Sequence, residues 1–392
     1  MISVTEPSYD VVVIGAGSVG NPAAMFLAER GLRVLVIEQR AAPGQGQNKA
    51  AIGGVRATHS DPAKISLCLR SIDHFCTFKE RYGIEIGWKP GGYCFPVYDE
   101  DLEDALKSLL PTQHHYGLDI DWHGPELIRS VVPGINPHEL RGGTYAPGDG
   151  QVSPLMYADA CWKIAVRCGA EYRFREQVRG IAVKRGRVTA VHTDRDTYPT
   201  AAVLIAAGAG ARRVGAMLEL NLPVQPDSHE AGISAPVKPF LDPLIVDMRP
   251  GPEGKTANFY FGQNHEGQII FCYTPKTLFV GENRESTSEF LPIIARRLID
   301  LIPAFQHLLV RRVWRGLYPM TPDGVPIVGA VEEPAGVYLG VGMCGQGFML
   351  GPGVAECLAS LIAEGRPTID RSVLEALSYR RDFHMAQVEG LK

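Results

Sequence analysis

At 392 residues, 45% hydrophobic and 21% charged with a formal net charge of −4, the chain has the composition of a soluble globular protein long enough for more than one domain. Nothing in that balance suggests nucleic acid or an anionic membrane as a partner. The eight cysteines form no CxxC pair and no Cys/His cluster at metal spacing, which excludes a disulfide framework or a metal site and predicts reduced thiols in a cytoplasmic compartment.

The first predicted strand, Val11 to Ile14, runs straight into Gly15-Ala16-Gly17-Ser18-Val19-Gly20. It is the first strand of a fold and not a signal peptide, because no basic region precedes it. A helix to about Arg30 and a strand from Val34 to Ile37 follow, ending at Glu38. This is the pattern of a dinucleotide site. Gly15 permits the tight turn, Gly17 lets backbone approach a pyrophosphate, and Gly20 lets helix and strand pack closely. The helix N-terminus favours phosphate, and Glu38 falls where a carboxylate accepts ribose hydroxyls. These residues alone allow NAD as readily as FAD.

A loop containing Gln47-Asn48-Lys49 leads to Ala50-Ala51-Ile52-Gly53-Gly54-Val55-Arg56. Apolar spacing predicts a helix from about Ala63 to Tyr82, a hairpin from Trp88 to Tyr98, and a helix from Asp101 to Tyr116 interrupted or ended near Pro111. The Gly/Pro-rich stretch from Pro133 to Pro154 reads as a crossing between lobes. An amphipathic helix from Leu155 to Cys168 and a strand meander from Glu171 to Tyr198 come next. A buried strand then enters a second glycine turn, Ala206-Ala207-Gly208. From Pro223 to Trp314 strands dominate around one helix, Ser288 to Leu301, with no phosphate-type turn, which suits a substrate lobe. A strand from Val337 to Val341 enters a third turn, Gly342 to Phe348, and a helix is predicted from about Gly353 to Ala363. No stretch approaches the length of a membrane span. Three widely separated glycine turns suit an extended cofactor gripped at both ends, and FAD has that shape.

On these motifs the chain resembles the FAD-dependent D-amino-acid oxidase superfamily, in its glycine oxidase and sarcosine oxidase/dehydrogenase branch. The matching elements are GAGSVG with Glu38, AAIGGVR followed by Leu69-Arg70-Ser71, VLIAAGAGA, TPDGVPIVG and GMCGQGFMLGPG, in the family's order over nearly the whole chain. The C-terminal pair also resembles catalytic subunits of dye-linked L-proline dehydrogenases. The resemblance implies an α/β fold: a discontinuous, Rossmann-like FAD-binding domain in 1–87, 146–222 and 318–392, and an α+β substrate domain on a mostly antiparallel sheet in 88–145 and 223–317.

It further implies that Gly15, Gly17, Ser18, Gly20, Glu38, Gln39, Arg40, Gln47, Asn48, Lys49, Val178, Ala207, Gly208, Asp323, Gly345, Gln346, Gly347 and Phe348 contact FAD. The Gly342 to Phe348 turn would meet the flavin and Asp323 the ribityl chain. For a substrate amine bearing a carboxylate, Arg56 matches the family's anchoring arginine, whose fork suits a carboxylate. His59 could line the same site, and Tyr260 and Tyr273 its roof. Tyr318 stands where glycine oxidases carry an arginine, and Met349 where sarcosine oxidases carry a lysine, which suits a bulkier or cyclic substrate such as proline. Gly316 replaces the cysteine that tethers flavin in monomeric sarcosine oxidase, and Lys49 lies near the position of the tethering histidine of dimethylglycine-type dehydrogenases. Non-covalent FAD is therefore expected, with Cys344 a small packing residue. The implied reaction is oxidation of a sarcosine-, glycine- or proline-like amine by hydride transfer to the flavin, giving an imine that hydrolyses. Electrons then pass to O2 or another acceptor. The oxygen-activating lysine has no counterpart in the Gln268 to Tyr273 strand, Lys276 being out of register, which leans toward a dehydrogenase and is compatible with a homo- or hetero-oligomer. The alternatives are a flavoprotein subunit of a multi-subunit dye-linked dehydrogenase and an NAD-dependent dehydrogenase.

Overall fold

The computed structural model describes residues 9–251, 258–275 and 279–383. Its contacts divide the described residues into two units, the first within 9–49, 154–226 and 318–383, the second within 50–153 and 227–317. The sequence reading places the first two divisions after 87 and after 145. Residues 50–87 instead group with the second unit, because Gly54–Val55 pairs with Gly150–Gln151 and Phe75 stacks on Trp88.

The first unit is built on a six-stranded sheet. In spatial order its strands are Ile327–Val331, Val337–Val341, Val203–Ile205, Val11–Ile14, Val34–Glu38 and Glu171–Phe174. All neighbours are parallel except the first two. These strands are continuous apolar runs because both faces are covered, and Val11, Val12, Val13, Leu35 and Val36 are fully buried. The chain builds outward from Val11–Ile14 in one direction first and later in the other. The strand order therefore reverses between Val11–Ile14 and Val203–Ile205, the place where open α/β sheets bind ligands beyond the carboxyl ends of their strands.

The helix Gly20–Glu29 packs against helices Pro154–Arg167 and Gly347–Glu364. The last of these starts six residues earlier than the sequence suggests and runs through Pro352. By length and composition, at mean hydropathy 1.2, it could cross a membrane, contrary to the expectation that no stretch is long enough. Gly351-Pro352-Gly353 disguises the apolar run. It is 61% buried and packs against the Gly20–Glu29 helix.

The second unit carries an eight-stranded sheet, mostly antiparallel, in the order Val310–Met320, Gln225–Pro236, Gln268–Thr274, Asn258–Gln263, Leu244–Asp247, Tyr93–Val97, Gly142–Ala146 and Asp121–His123. Two sequence expectations fail here. Lys89–Pro90 and Tyr93–Val97 do not form a hairpin: the former pairs with Gly150–Gln151, the latter with Gly142–Ala146 and Leu244–Asp247. The φ of +84° at Gly92 turns the chain between the sheets. The helix Glu100–His115 continues through Pro111 without a break.

Candidate functional site

The three glycine turns, far apart in sequence, follow the carboxyl ends of three adjacent parallel strands, Val11–Ile14, Val203–Ile205 and Val337–Val341. Each glycine of the first turn is constrained differently. Gly15 has φ +104° and a Cβ there would lie 2.6 Å from the Ala206 carbonyl oxygen; at Gly20 it would lie 2.0 Å from that of Gly15. At Gly17 a Cβ would meet nothing within 4 Å. Two of these glycines are thus required by protein packing, and the middle one faces open space. The helix that follows has no side-chain N-cap; its Asn21 N–H bonds the Gly17 carbonyl at 3.1 Å and Pro22 carries none, so the donor this end offers an anion is the Gly20 N–H.

Glu38 closes the turn. Its Oε2 accepts the Ala16 N–H at 2.9 Å and its Oε1 the Arg40 N–H at 2.8 Å. Each carboxylate oxygen keeps a lone pair for a hydroxyl. Gln39 is exposed and accepts a 3.4 Å bond from Arg213, while Arg40 is half-buried. The Gln47 side chain lies against the second turn, its Oε1 accepting the Ala209 N–H at 3.4 Å and blocking any Cβ at Gly208, which has φ +53°. Asn48 donates to the Pro154 carbonyl at 3.0 Å, but its buried Oδ1 finds no hydrogen-bond partner among the described residues. Lys49 is exposed, Ala207 half-buried, and Val178 buried in the meander core of the same unit.

The third turn packs onto the first. A Cβ at Gly351 would lie 2.1 Å from the Ser18 carbonyl oxygen, and one at Gly347 3.4 Å from Ser18 Oγ. Gly345 is exposed, and the Tyr318 ring lies so close that a Cβ there would be 2.3 Å from it. Gln346 stands at the N-cap of the Gly347–Glu364 helix without capping it, and its buried Oε1 has no hydrogen-bond partner among the described residues. Phe348 meets Tyr157 edge-on, and Met349 is half-buried in the helix's first turn. Cys344, expected to be a packing residue, adopts φ +50° and bonds through Sγ to Gly342 O at 3.0 Å and Thr321 Oγ1 at 3.1 Å. Asp323 gives both carboxylate oxygens to Arg381, at 2.7 and 3.1 Å, and its Oδ1 also accepts the Val325 N–H at 3.1 Å.

The residues expected to handle substrate are divided. Tyr318 and Met349 belong to the first unit; Arg56, His59, Tyr260 and Tyr273 belong to the second. Arg56 is 4% exposed, donates to the Thr58 carbonyl and lies 5.7 Å from the centre of the Phe95 ring. Near it, buried Asp149 accepts the Ala57 N–H and the Thr58 hydroxyl, each at 2.9 Å. Burial, opposed by those two bonds and the Arg56 charge, pushes the Asp149 carboxyl up to about 7. His59 is fully buried, with Nε2 3.5 Å from Cys68 Sγ and its carbonyl accepting from Gln113. Tyr260 packs beside the cluster containing Tyr93 and Phe95, and Tyr273 in that of Phe259 and Phe271. Lys276 lies outside the described residues. Sequence reasoning missed Asp149, visible only as a GDG turn, and Arg381, which nothing local distinguishes.

Open space at Gly17, spare lone pairs on Glu38 and the orphaned oxygens of Asn48 and Gln346 are features that a bound FAD would use. A family model described as FAD dependent oxidoreductase matches residues 10–361. The chain is 27% identical over 371 residues to glycine oxidase of Geobacillus kaustophilus, covering 92% of this chain and 95% of that one. To mitochondrial sarcosine dehydrogenase of Mus musculus it is 24% identical over 92% of its own length, spanning only 40% of that relative. Among solved structures, L-proline dehydrogenase from P. horikoshii superposes with a TM-score of 0.89 at 28% identity, covering 98% of this chain and 100% of that one.

Proposed function

The chain belongs to the FAD dependent oxidoreductase family, and on that premise we propose that it oxidises a small amine or amino acid, sarcosine-, glycine- or proline-like, at a non-covalently held FAD. The observation that carries the reading is the alignment of three glycine turns at one edge of the parallel sheet. The names of the relatives support the substrate class. Gly17 and the uncapped Gly20–Glu29 helix are assigned to the pyrophosphate, Glu38 to the ribose, and Gln346 with the Gly347–Glu364 helix N-terminus to the flavin ring. Bound FAD supplies a two-electron acceptor for the substrate's α C–H. The partial positive charge at the Gly347 helix end would favour negative charge on a flavin held there. Arg56 is assigned to the substrate carboxylate, whose orientation its planar fork would fix, and Tyr318 and Met349 to substrate choice. A substrate amine bound deprotonated requires no protein base. Neither Gly316 nor exposed Lys49 offers the cysteine or histidine needed for a covalent flavin link.

Anaerobic mixing of the yellow protein with sarcosine, glycine, L-proline and D-amino acids tests this. At least one should bleach the flavin, with L-proline first in line given the Met349 substitution. If none does, the substrate assignment is wrong and a flavoprotein subunit dependent on a partner is the better reading.

A further inference from the structure

Arg381 is distant in sequence from every cofactor motif, yet it is one of the most heavily hydrogen-bonded side chains of the first unit. Its Nε and Nη2 grip the two oxygens of Asp323 at 2.7 and 3.1 Å, across 58 residues of chain. Nη2 also donates to Val325 O at 2.6 Å, and Nη1 to Pro326 O at 2.9 Å and Leu377 O at 3.1 Å. The guanidinium lies 4.3 Å from the centre of the Phe383 ring, and Phe383 itself packs on the core beneath the sheet. An ion pair so placed is partly dehydrated and geometrically fixed, unlike a surface pair.

The contacts continue inward. Asp323 Oδ1 accepts the Val325 N–H at 3.1 Å, and Val325 O accepts the Thr321 hydroxyl at 2.8 Å. Thr321 in turn meets Cys344 twice, N–H to Sγ at 3.4 Å and Oγ1 to Sγ at 3.1 Å, and its methyl sits where a Cβ at Gly342 would come within 2.5 Å. The Cys344 N–H donates to Pro319 O at 3.1 Å. Cys344 holds φ +50° next to Gly345 at +82°, two residues after Gly342 at +69°, and a non-glycine residue adopts this left-handed region only when its surroundings hold it there. Those surroundings are the Pro319–Val325 segment, and that segment is held by Arg381.

We propose that Arg381 is a positioning residue for the Gly342–Gly347 turn, acting through Asp323 and the Thr321–Cys344 contacts. The inference rests on the reading above that this turn holds the flavin end of FAD. Arg381 meets the cofactor site only through Asp323, and through it fixes the backbone that presents Gln346 and the helix N-terminus.

The test compares the holoenzyme with Arg381→Met, Arg381→Lys, Asp323→Asn, the Arg381→Met/Asp323→Asn double, Gln346→Ala and Arg380→Met. Arg380 is the control, because its pair with Glu332 is exposed. FAD dissociation, the visible absorption envelope of the flavin and the unfolding temperature are read together. Arg381→Met should weaken FAD about tenfold or more and alter the envelope, the scale expected for losing charge-assisted bonds. Asp323→Asn should do the same, the double variant should be no worse than the worse single, and Arg380→Met should match wild type. Arg381→Lys, which keeps the charge but loses the fork, should fall between. It also keeps the test decisive if Arg381→Met does not fold. Wild-type FAD binding and spectrum in Arg381→Lys and Arg381→Met, or additive losses in the double, overturn the proposal. If Gln346→Ala weakens FAD while the Arg381 variants do not, only the positioning role fails. If Gln346→Ala changes neither affinity nor spectrum, the assignment of this turn to flavin is wrong, and the proposal falls with it.

Discussion

Replacing Gly17 by alanine separates a turn that binds a ligand from one that merely reverses the chain. A Cβ at this position meets no atom within 4 Å, and its backbone is outside the left-handed region, so the added methyl costs the apoprotein nothing in packing. Restricting the unfolded chain could even stabilise it by about 0.4–1 kcal/mol. At Gly20 the same substitution drives a methyl to within 2.0 Å of the Gly15 carbonyl oxygen, an overpacking that costs about 1–3 kcal/mol. In the holoprotein the order changes. If the pyrophosphate lies over Gly17, the methyl pushes it off one charge-assisted backbone hydrogen bond, worth about 1.5–3 kcal/mol, so FAD binding weakens about 10- to 150-fold. The assay is titration of apoprotein with FAD by quenching of flavin fluorescence, beside thermal unfolding of the same apoprotein. Gly17→Ala should keep the wild-type apoprotein Tm and lose affinity, and Gly20→Ala should lose both. Unchanged FAD affinity in Gly17→Ala would refute the reasoning, as would an apoprotein Tm as low as that of Gly20→Ala.

Arg56→Leu should raise KM for a carboxylate-bearing substrate about tenfold or more while flavin content stays at the wild-type level; an unchanged KM removes Arg56 as the anchor. Asp149 sets a pH dependence of stability. Its carboxyl keeps a proton to about 7 in the fold against 3.8 as the ordinary value, so the folded chain binds the extra proton between those limits. Its contribution to stability therefore falls as pH rises across that window and is level above it. Asp149→Asn should flatten this decline in the unfolding temperature, and parallel curves for the two proteins would contradict it.

Sequence patterns were informative where structure is set within one or two turns of chain. The conformations of Gly15 and Gly20 and the placement of Glu38 could be read in advance because each answers to a local requirement: a positive φ, a close approach, and the end of a strand. The start of the Gly347–Glu364 helix could not. Gly351, Pro352 and Gly353 are poor helix formers by propensity, and what selects Gly351 is the Ser18 carbonyl, 2.1 Å from its missing Cβ. The hairpin predicted from Trp88 to Tyr98 failed for a related reason: alternation identifies strands but not their partners, and Lys89–Pro90 and Tyr93–Val97 pair in different sheets.

The cofactor edge itself shows where local reading must give way to topology. Gly15, Gly208 and Gly342 are recognisable one at a time as strand-ending glycines, and each alone is as consistent with a plain turn as with a ligand. Parallel pairing of Val12 with Val203 and of Val203 with Val337 makes them neighbours. Once adjacent, they demand a common explanation. A plain turn accounts for Gly15 and Gly20, which the fold itself forbids to carry a side chain. It puts no requirement on Gly17, where a Cβ would meet nothing within 4 Å, and it does not account for the buried oxygens of Asn48 and Gln346 that no described residue satisfies. An extended cofactor accounts for all of them, which is why Gly17 is the position at which the assignment is most exposed to disproof.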